Sequence, residues 1–356
     1  SIEIFPKSAL SHKNSLTCLL LDYNNLLELS DSIKELKCLE IFSLNGNSIS
    51  SLPSAIESLE NLQEFHLNEN DLTELPETFG NLRNLKKLYL TGNSIKTLPE
   101  TFCKLASLEE LVIEENGLSS LSENFGELYK LKSLQANDNK LFSLPSTFGK
   151  LRSLENLDLS NNQVIKFPDY FGDLRNIKKL DLGGNFLNDL PESFGEMKCL
   201  EFVRIGSVLH YLERRNFQNG NWITAIPTSF GRLRLLKEVF LDENQIYELP
   251  EEFGGLVSME MLDLGQNHLH ELPESFGNLK SLRVCLLSKN KLQLLPSTIG
   301  QLSSLEDLRL DNNHIAELPE SFKDLTQLKT LDLFNNQLTK VPACLKQFTQ
   351  LVRLDI

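Results

Sequence analysis

The sequence predicts an elongated solenoid of stacked, nearly identical turns, each contributing one short strand to a parallel sheet. Three observations carry that reading. A block such as LPETFGNLRNLKKLYLTGNSIKT, Leu75 to Thr97, returns every 23 residues through almost the whole 356-residue chain. An asparagine marks each block: Asn24, Asn47, Asn70, Asn93, Asn116, Asn139, Asn162, Asn185, Asn221, Asn244, Asn267, Asn290, Asn313 and Asn336, every gap being 23 except the 36 between Asn185 and Asn221. No composition shift, Ser/Gly linker or charge block marks a boundary, so a chain too long for one ordinary globular domain reads as one extended unit.

Each segment of the block has a physical reason. In LKKLYL, Leu85 to Leu90, side chains alternate along a strand, so Leu88 and Leu90 point inward and Tyr89 outward. A lone strand leaves backbone groups unpaired on both edges, and another copy at ~4.8 Å satisfies them. The asparagine stands where the chain leaves the strand and its peptide groups would be buried without partners. A carboxamide donates and accepts, so stacked copies bond adjacent turns; an unpaired group would cost about 1–3 kcal/mol. The returning half, LPxxFGxLxxL, opens on a proline that fixes φ and starts a compact turn, with Ser30 and Ser122 as substitutes. Phe79, Phe102, Phe125, Phe148, Phe171, Phe194, Phe230, Phe253, Phe276 and Phe322 follow, and recurrence at the repeat spacing makes them an inner aromatic column.

This LxxLxLxxNxL pattern resembles the leucine-rich repeat family, and its 23-residue LPxxFGxL form is similar to the intracellular Ras-group type. The resemblance implies an α/β horseshoe with a concave parallel β-sheet and short helical or 3-10 turns on the convex side. Residues 1–15 look like a degenerate N-terminal repeat, Phe5-Pro6 echoing Leu-Pro, and residues 16–356 hold fourteen full repeats with a partial fifteenth. The chain stops at LVRLDI, inside a strand. Because a solenoid core needs capped ends, the expectation is that the native protein continues beyond Ile356.

A formal charge of −14, from 35 basic and 49 acidic residues, argues against a nucleic-acid surface and for basic partners. The six cysteines form no C-x-x-C pair and read as reduced structural thiols of a cytoplasmic protein. No apolar run approaches a membrane span.

Recognition is expected at the outward strand positions, which the core leaves unconstrained. Seventeen acids and six bases stand there, and a face lined by one sign focuses potential toward an oppositely charged partner. The residues assigned to partner binding are Tyr89, Glu110, Val112, Glu114, Asp158, Asp181, Arg204, Phe240, Asp242, Asp263, Arg309 and Asp332, because aromatics among charges build interface hot spots. A solvated face that only keeps the array soluble is the plainer alternative. Asp158 and Asp181 would stand side by side on adjacent strands, yet nothing encloses them for acid-base work or cation binding. The histidines form no HExxH or triad-like grouping and there is no GxxxxGK[ST] loop, so neither catalytic, cofactor nor metal residues are assigned.

The one lapse in the period is an insertion at about 206–220. Val208 falls where a ladder asparagine is due, and Asn221 with Ile223 resumes the turn. The loop should leave the strand's C-terminal end and overhang the rim of the sheet face. Tyr211, Arg214, Arg215, Phe217 and the only tryptophan, Trp222, are hot-spot residue types and are assigned to partner contact. Self-packing over the ninth turn, tolerated length, or arginines latched onto Asp181 or Asp242 are the other readings. Together these features predict a non-enzymatic scaffold for protein interaction in signalling. A recognition segment of a larger GTPase, kinase, cyclase or phosphatase, or a subunit of a permanent assembly, are the alternatives. The resemblance implies a small Ras-like GTPase, a phosphatase catalytic subunit or a scaffold peptide as partner.

Overall fold

A computed structural model describes residues 2–209 and 220–356 of the chain, which divides into two compact units, Ser1–Val164 and Ile165–Ile356. Unit one carries β1 (Cys18–Leu20), β2 (Ile41–Ser43), β3 (Glu64–His66), β4 (Lys87–Tyr89), β5 (Glu110–Val112), β6 (Ser133–Gln135) and β7 (Asn156–Asp158). Unit two carries β8 (Lys179–Asp181), β9 (Phe202–Arg204), β10 (Glu238–Phe240), β11 (Met261–Asp263), β12 (Val284–Leu286), β13 (Asp307–Arg309), β14 (Thr330–Asp332) and β15 (Arg353–Asp355). Within each unit consecutive strands pair in parallel with equivalent residues opposite one another, as Phe65, Leu88 and Leu111 are in unit one and Val203, Val239 and Leu262 in unit two.

The strands are shorter than the LKKLYL segment suggests, but alternation holds: Leu88 and Leu90 are fully buried and Tyr89 is partly exposed. On the return, each turn runs through a short 3-10 segment such as Glu77–Asn81, entered by Pro76 at φ −66° and ψ 151°. Where proline is replaced, a hydroxyl takes over the entry: Ser30 Oγ accepts from Ser32 N at 3.3 Å, and Ser122 Oγ from Asn124 N at 3.3 Å. The phenylalanine column is buried throughout, with ring centroids 6.3 Å apart from Phe79 to Phe102 and 6.1 Å from Phe230 to Phe253.

Asparagine side chains tie turn to turn. Asn162 Nδ2 donates to the carbonyls of Ala136 at 2.9 Å, Leu159 at 3.1 Å and Ser160 at 3.2 Å, while its Oδ1 accepts from Leu141 N at 2.9 Å. The N-terminal segment joins the scheme: Ile2 N donates to Asn24 Oδ1 at 2.9 Å, and Phe5 is buried.

Three further devices were not read from the sequence. The residue before thirteen of the fourteen asparagines is left-handed: Gly46, Gly92 and Gly184 accept that freely, whereas Tyr23, Glu69, Glu115 and Lys289 are among those that bear the penalty of a Cβ there. A row of hydroxyls lines the return, where Thr78 Oγ1 donates to Ser54 O at 3.0 Å and Ser275 Oγ to Glu251 O at 2.6 Å. The glycine after phenylalanine lets turns approach closely, since a Cβ on Gly80 would collide with the carbonyl of Thr101.

The insertion does not displace the ladder. Asn221 takes the slot thirteen residues late, its Nδ2 donating to Leu182 O at 3.0 Å and Ile205 O at 2.7 Å, and its Oδ1 accepting from Leu187 N at 2.9 Å. Both ends press on the next turn: a Cβ on Gly206 would strike Asp242, and one on Gly220 the carbonyl of Glu243. Tyr211, Arg214, Arg215 and Phe217 lie outside the described residues.

Candidate protein-docking face

Because leucines and the phenylalanine column occupy the inward positions, each unit presents the alternate side chains of its strands on an outward face. In unit one, Glu64 on β3 receives Lys87 of β4 at 3.0 Å. His66 stacks on Tyr89 with ring centroids 4.5 Å apart and 13° between planes. Burial, reinforced by Glu110 and then Glu64, pushes the Tyr89 phenol up to about 12, so it stays neutral. Further along, Glu114 is held above the usual carboxylate range by burial and then by the charges of Asp158, Glu115 and Asp138. Asp158 also has a local duty, its Oδ1 accepting from Ser160 N at 2.9 Å and Ser160 Oγ at 2.7 Å.

Unit two places cations among its acids. Arg204 Nη1 lies 3.0 Å from Asp181 Oδ2, and the guanidinium sits 5.6 Å and 5.3 Å from the ring centres of Phe202 and Phe240. Arg309 reaches back 3.2 Å to Asp307 on its own strand. A depression of about 220 Å³ follows, lined by Asp263, Leu286, Lys289, Arg309, Asp311 and Asp332 among others. Burial pushes the Asp332 carboxyl up, with Asp311 and Asp355 adding to the rise against a hydrogen bond from Phe334 N.

Several of the expected contact residues are placed elsewhere. Asp242 and Asp263 are fully buried and Val112 nearly so, which removes them from the accessible face. Their positions explain why: Asp242 Oδ2 accepts from Ser207 N at 3.1 Å at the root of the insertion, and Asp263 Oδ1 accepts from Gly265 N at 3.0 Å. The Leu-Asp-Leu spacing is the signal for this role, since Asp158, Asp181, Asp263 and Asp332 all accept from the backbone N–H two residues on. Trp222, expected as a contact of the insertion and not of the strand face, stands just after the insertion. It follows Asn221 on the flank beyond the ladder, half exposed, its ring 5.2 Å from that of Phe186. Two contributors outside the assigned set are His66 and Phe202, whose outward register next to Tyr89 and Phe240 was the available signal. No group of three or more histidine, cysteine or acidic residues among the described residues is arranged to hold a metal ion.

Comparisons with known proteins agree with the repeat fold. The leucine-rich repeat region model matches residues 225–312, and two leucine-rich repeat models match residues 75–118 and 107–164, and residues 61–82, 176–197, 304–325 and 327–348. The solved structure of the Leptospira interrogans LRR protein LIC12759 is 33% identical, covering 98% of this chain and 91% of that one at a TM-score of 0.80. The chain belongs to the leucine-rich repeat family. Among other leucine-rich repeat structures it is similar to an internalin, InlF, of Listeria monocytogenes (22% identity, 98% of this chain and 88% of that chain, TM-score 0.70). It is similar also to the Toll–Spätzle complex of Drosophila (22% identity, 99% and 49%, TM-score 0.81). At that identity these two show the shared solenoid fold. No curated protein matches the sequence. No helix among the described residues of this leucine-rich repeat chain is long and apolar enough to cross a membrane.

Proposed function

We propose that this leucine-rich repeat chain is a non-catalytic docking scaffold that recruits protein partners to the outward faces of its strands, as the intracellular 23-residue repeat type does in signalling. One observation carries the reading. Inward leucines and phenylalanines are consumed by packing against neighbouring turns, whereas the outward positions, beyond the aspartates that bond the backbone, hold acids and aromatics such as Glu110, Tyr89 and Phe240 that the buried core does not require. All six cysteines are free thiols, Cys103 and Cys285 being buried, which suits the reducing cytoplasm. A Ras-like GTPase, a phosphatase catalytic subunit or a scaffold peptide are the partner classes to test first.

The test is a photo-crosslinker placed at Gln135 on the face of unit one and at Phe334 in unit two, with captured proteins identified by mass spectrometry. Tyr89→Ala and Phe240→Ala, with melting unchanged, should lower capture about tenfold, the loss of one hot-spot contact. Capture that survives both but disappears on Tyr129→Ala with Tyr170→Ala would move docking to the opposite surface, where those tyrosines are exposed.

A further inference from the structure

We propose that the unit one face from β3 to β7 receives an extended, basic segment of the partner, with lysine or arginine at alternate residues. This rests on the docking reading above and specifies its occupant. The outward register of unit one carries eight acids and one base, whereas that of unit two carries nine acids, of which Asp242, Glu243 and Asp263 are buried, and five bases. That one base, Lys87, is already engaged by Glu64 at 3.0 Å. Glu110, Glu114, Glu115, Asp138 and Asp158 therefore face outward on β5 to β7 and their turns with no lysine or arginine of this chain within 4.0 Å among the described residues. Their hydrogen bonds run to neutral groups instead: Asn137 Nδ2 and Asn161 Nδ2 donate to Asp138 at 2.8 Å and 2.9 Å.

Charge alone would not make a site. The second ingredient is the stacked His66–Tyr89 pair, which lays an aromatic surface between Glu64 and Glu110. An ammonium or guanidinium over such a ring meets the negative π-face and a carboxylate together. Unit two shows the arrangement filled from within, for Arg204 lies against Phe202 and Phe240 and bonds Asp181. Unit one has the aromatic and the acids, and the cation must come from outside.

Spacing selects the form of the occupant. From β4 to β7 the sheet advances three strand separations, about 14 Å at ~4.8 Å each. An extended chain repeats on one face every ~6.8 Å, so cations at residues i, i+2 and i+4 span Tyr89 with Glu110 at one end and Glu114 with Asp158 at the other. Backbone hydrogen bonding is not needed, because recognition runs across the strands and uses side chains.

Fluorescence anisotropy tests this with the full chain and a labelled alternating Lys-Ser decapeptide, a Glu-Ser decapeptide as comparison, at about 0.15 M salt. The Lys-Ser probe should bind and the Glu-Ser probe should not. Glu110→Gln, Glu114→Gln and Asp158→Asn together should weaken binding at least tenfold; the asparagine keeps the acceptor that Ser160 uses. Glu74→Gln, Glu248→Gln and Glu317→Gln remove the same charge from exposed sites off the face and should change binding less than twofold. Equal losses from the two sets, or no binding of the Lys-Ser probe at about 1 mM, overturn the inference. Crosslinking at Gln135 separates it from the reading beneath it. A captured stretch without lysine or arginine rejects the basic occupant and leaves docking standing, whereas no capture from either face rejects docking itself.

Discussion

The outward face of unit one leaves its acids against one another, while that of unit two brings its own cations. In unit one, Glu114 meets Asp158, Glu115 and Asp138. In unit two, Arg204 joins Asp181 and two phenylalanine rings, and Arg309 joins Asp307. Both faces are built on the same 23-residue turn with the same buried leucines, so the difference cannot come from the fold's requirements. It teaches that in a repeat array inward positions answer to the neighbouring turn and most outward positions do not, Asp242 being an exception, so two stretches built on one repeat can acquire different surfaces.

The largest expected effect sharpens the comparison at the ladder. Asn162→Ala in unit one and Asn221→Ala in unit two each leave buried carbonyls and an N–H unpaired, and each should destabilise by about 2–4 kcal/mol in chemical denaturation. Asn221 should be the costlier, because its bond to Ile205 O at 2.7 Å, the counterpart of the Asn162 bond to Leu159 O, spans the insertion and closes its root. Equal melting of variant and parent would show that the ladder bonds are replaced by water. Next come two of the outward bases. Arg204→Met removes a cation from between two rings and from Asp181 and should cost about 1–2 kcal/mol, whereas Lys87→Met breaks an exposed pair and should cost under about 0.5 kcal/mol. Equal costs would erase the distinction between self-neutralised and open faces.

Smaller again is the backbone term. Glu69→Gly and Glu115→Gly relieve left-handed residues at φ 54° and 50° and should stabilise by a few tenths to about 1 kcal/mol, the gain in φ freedom outweighing the entropy of the unfolded glycine. A loss of melting temperature would mean that those side chains earn their conformation through contacts. The smallest effect is in pH dependence. The folded carboxyl of Glu114 titrates above its unfolded value of 4.5, so the native state holds the proton more tightly there. Its contribution is therefore most favourable below 4.5 and declines as pH rises through the folded value, the reverse of a salt-bridged acid such as Glu306, which Lys329 and Arg283 hold below 4.5 and whose contribution is lost on acidification. Carboxyl NMR should place the Glu114 midpoint above 4.5, and Asp158→Asn should move it down; an unmoved midpoint would detach the two acids.

Much of this was legible in the residues themselves. The period located the strand leucines, the ladder asparagines and the phenylalanine column because stacking demands the same residue at the same place in each turn. Outward residues obey no such demand, and there the reading was partial. The register places Tyr89, Glu110 and Glu114 on the face, where the structure has them, but it places Asp242 and Asp263 there too, and the insertion root and the turn bury them. The Leu-Asp-Leu spacing marks aspartates that accept from the backbone two residues on, but it does not separate the buried Asp263 from the partly exposed Asp158, and Asp242 lies outside it.

By itself the sequence determined the repeat, its short parallel strands, its buried polar ladder and the excess of acid on the outward positions, since these follow from spacing and composition. Tertiary structure alone decided which acids stay accessible, which arginine finds two rings, and that Trp222 turns to the flank beside Phe186. The reason is physical: period is a one-dimensional property, whereas burial, stacking and charge pairing depend on residues from different turns meeting in space.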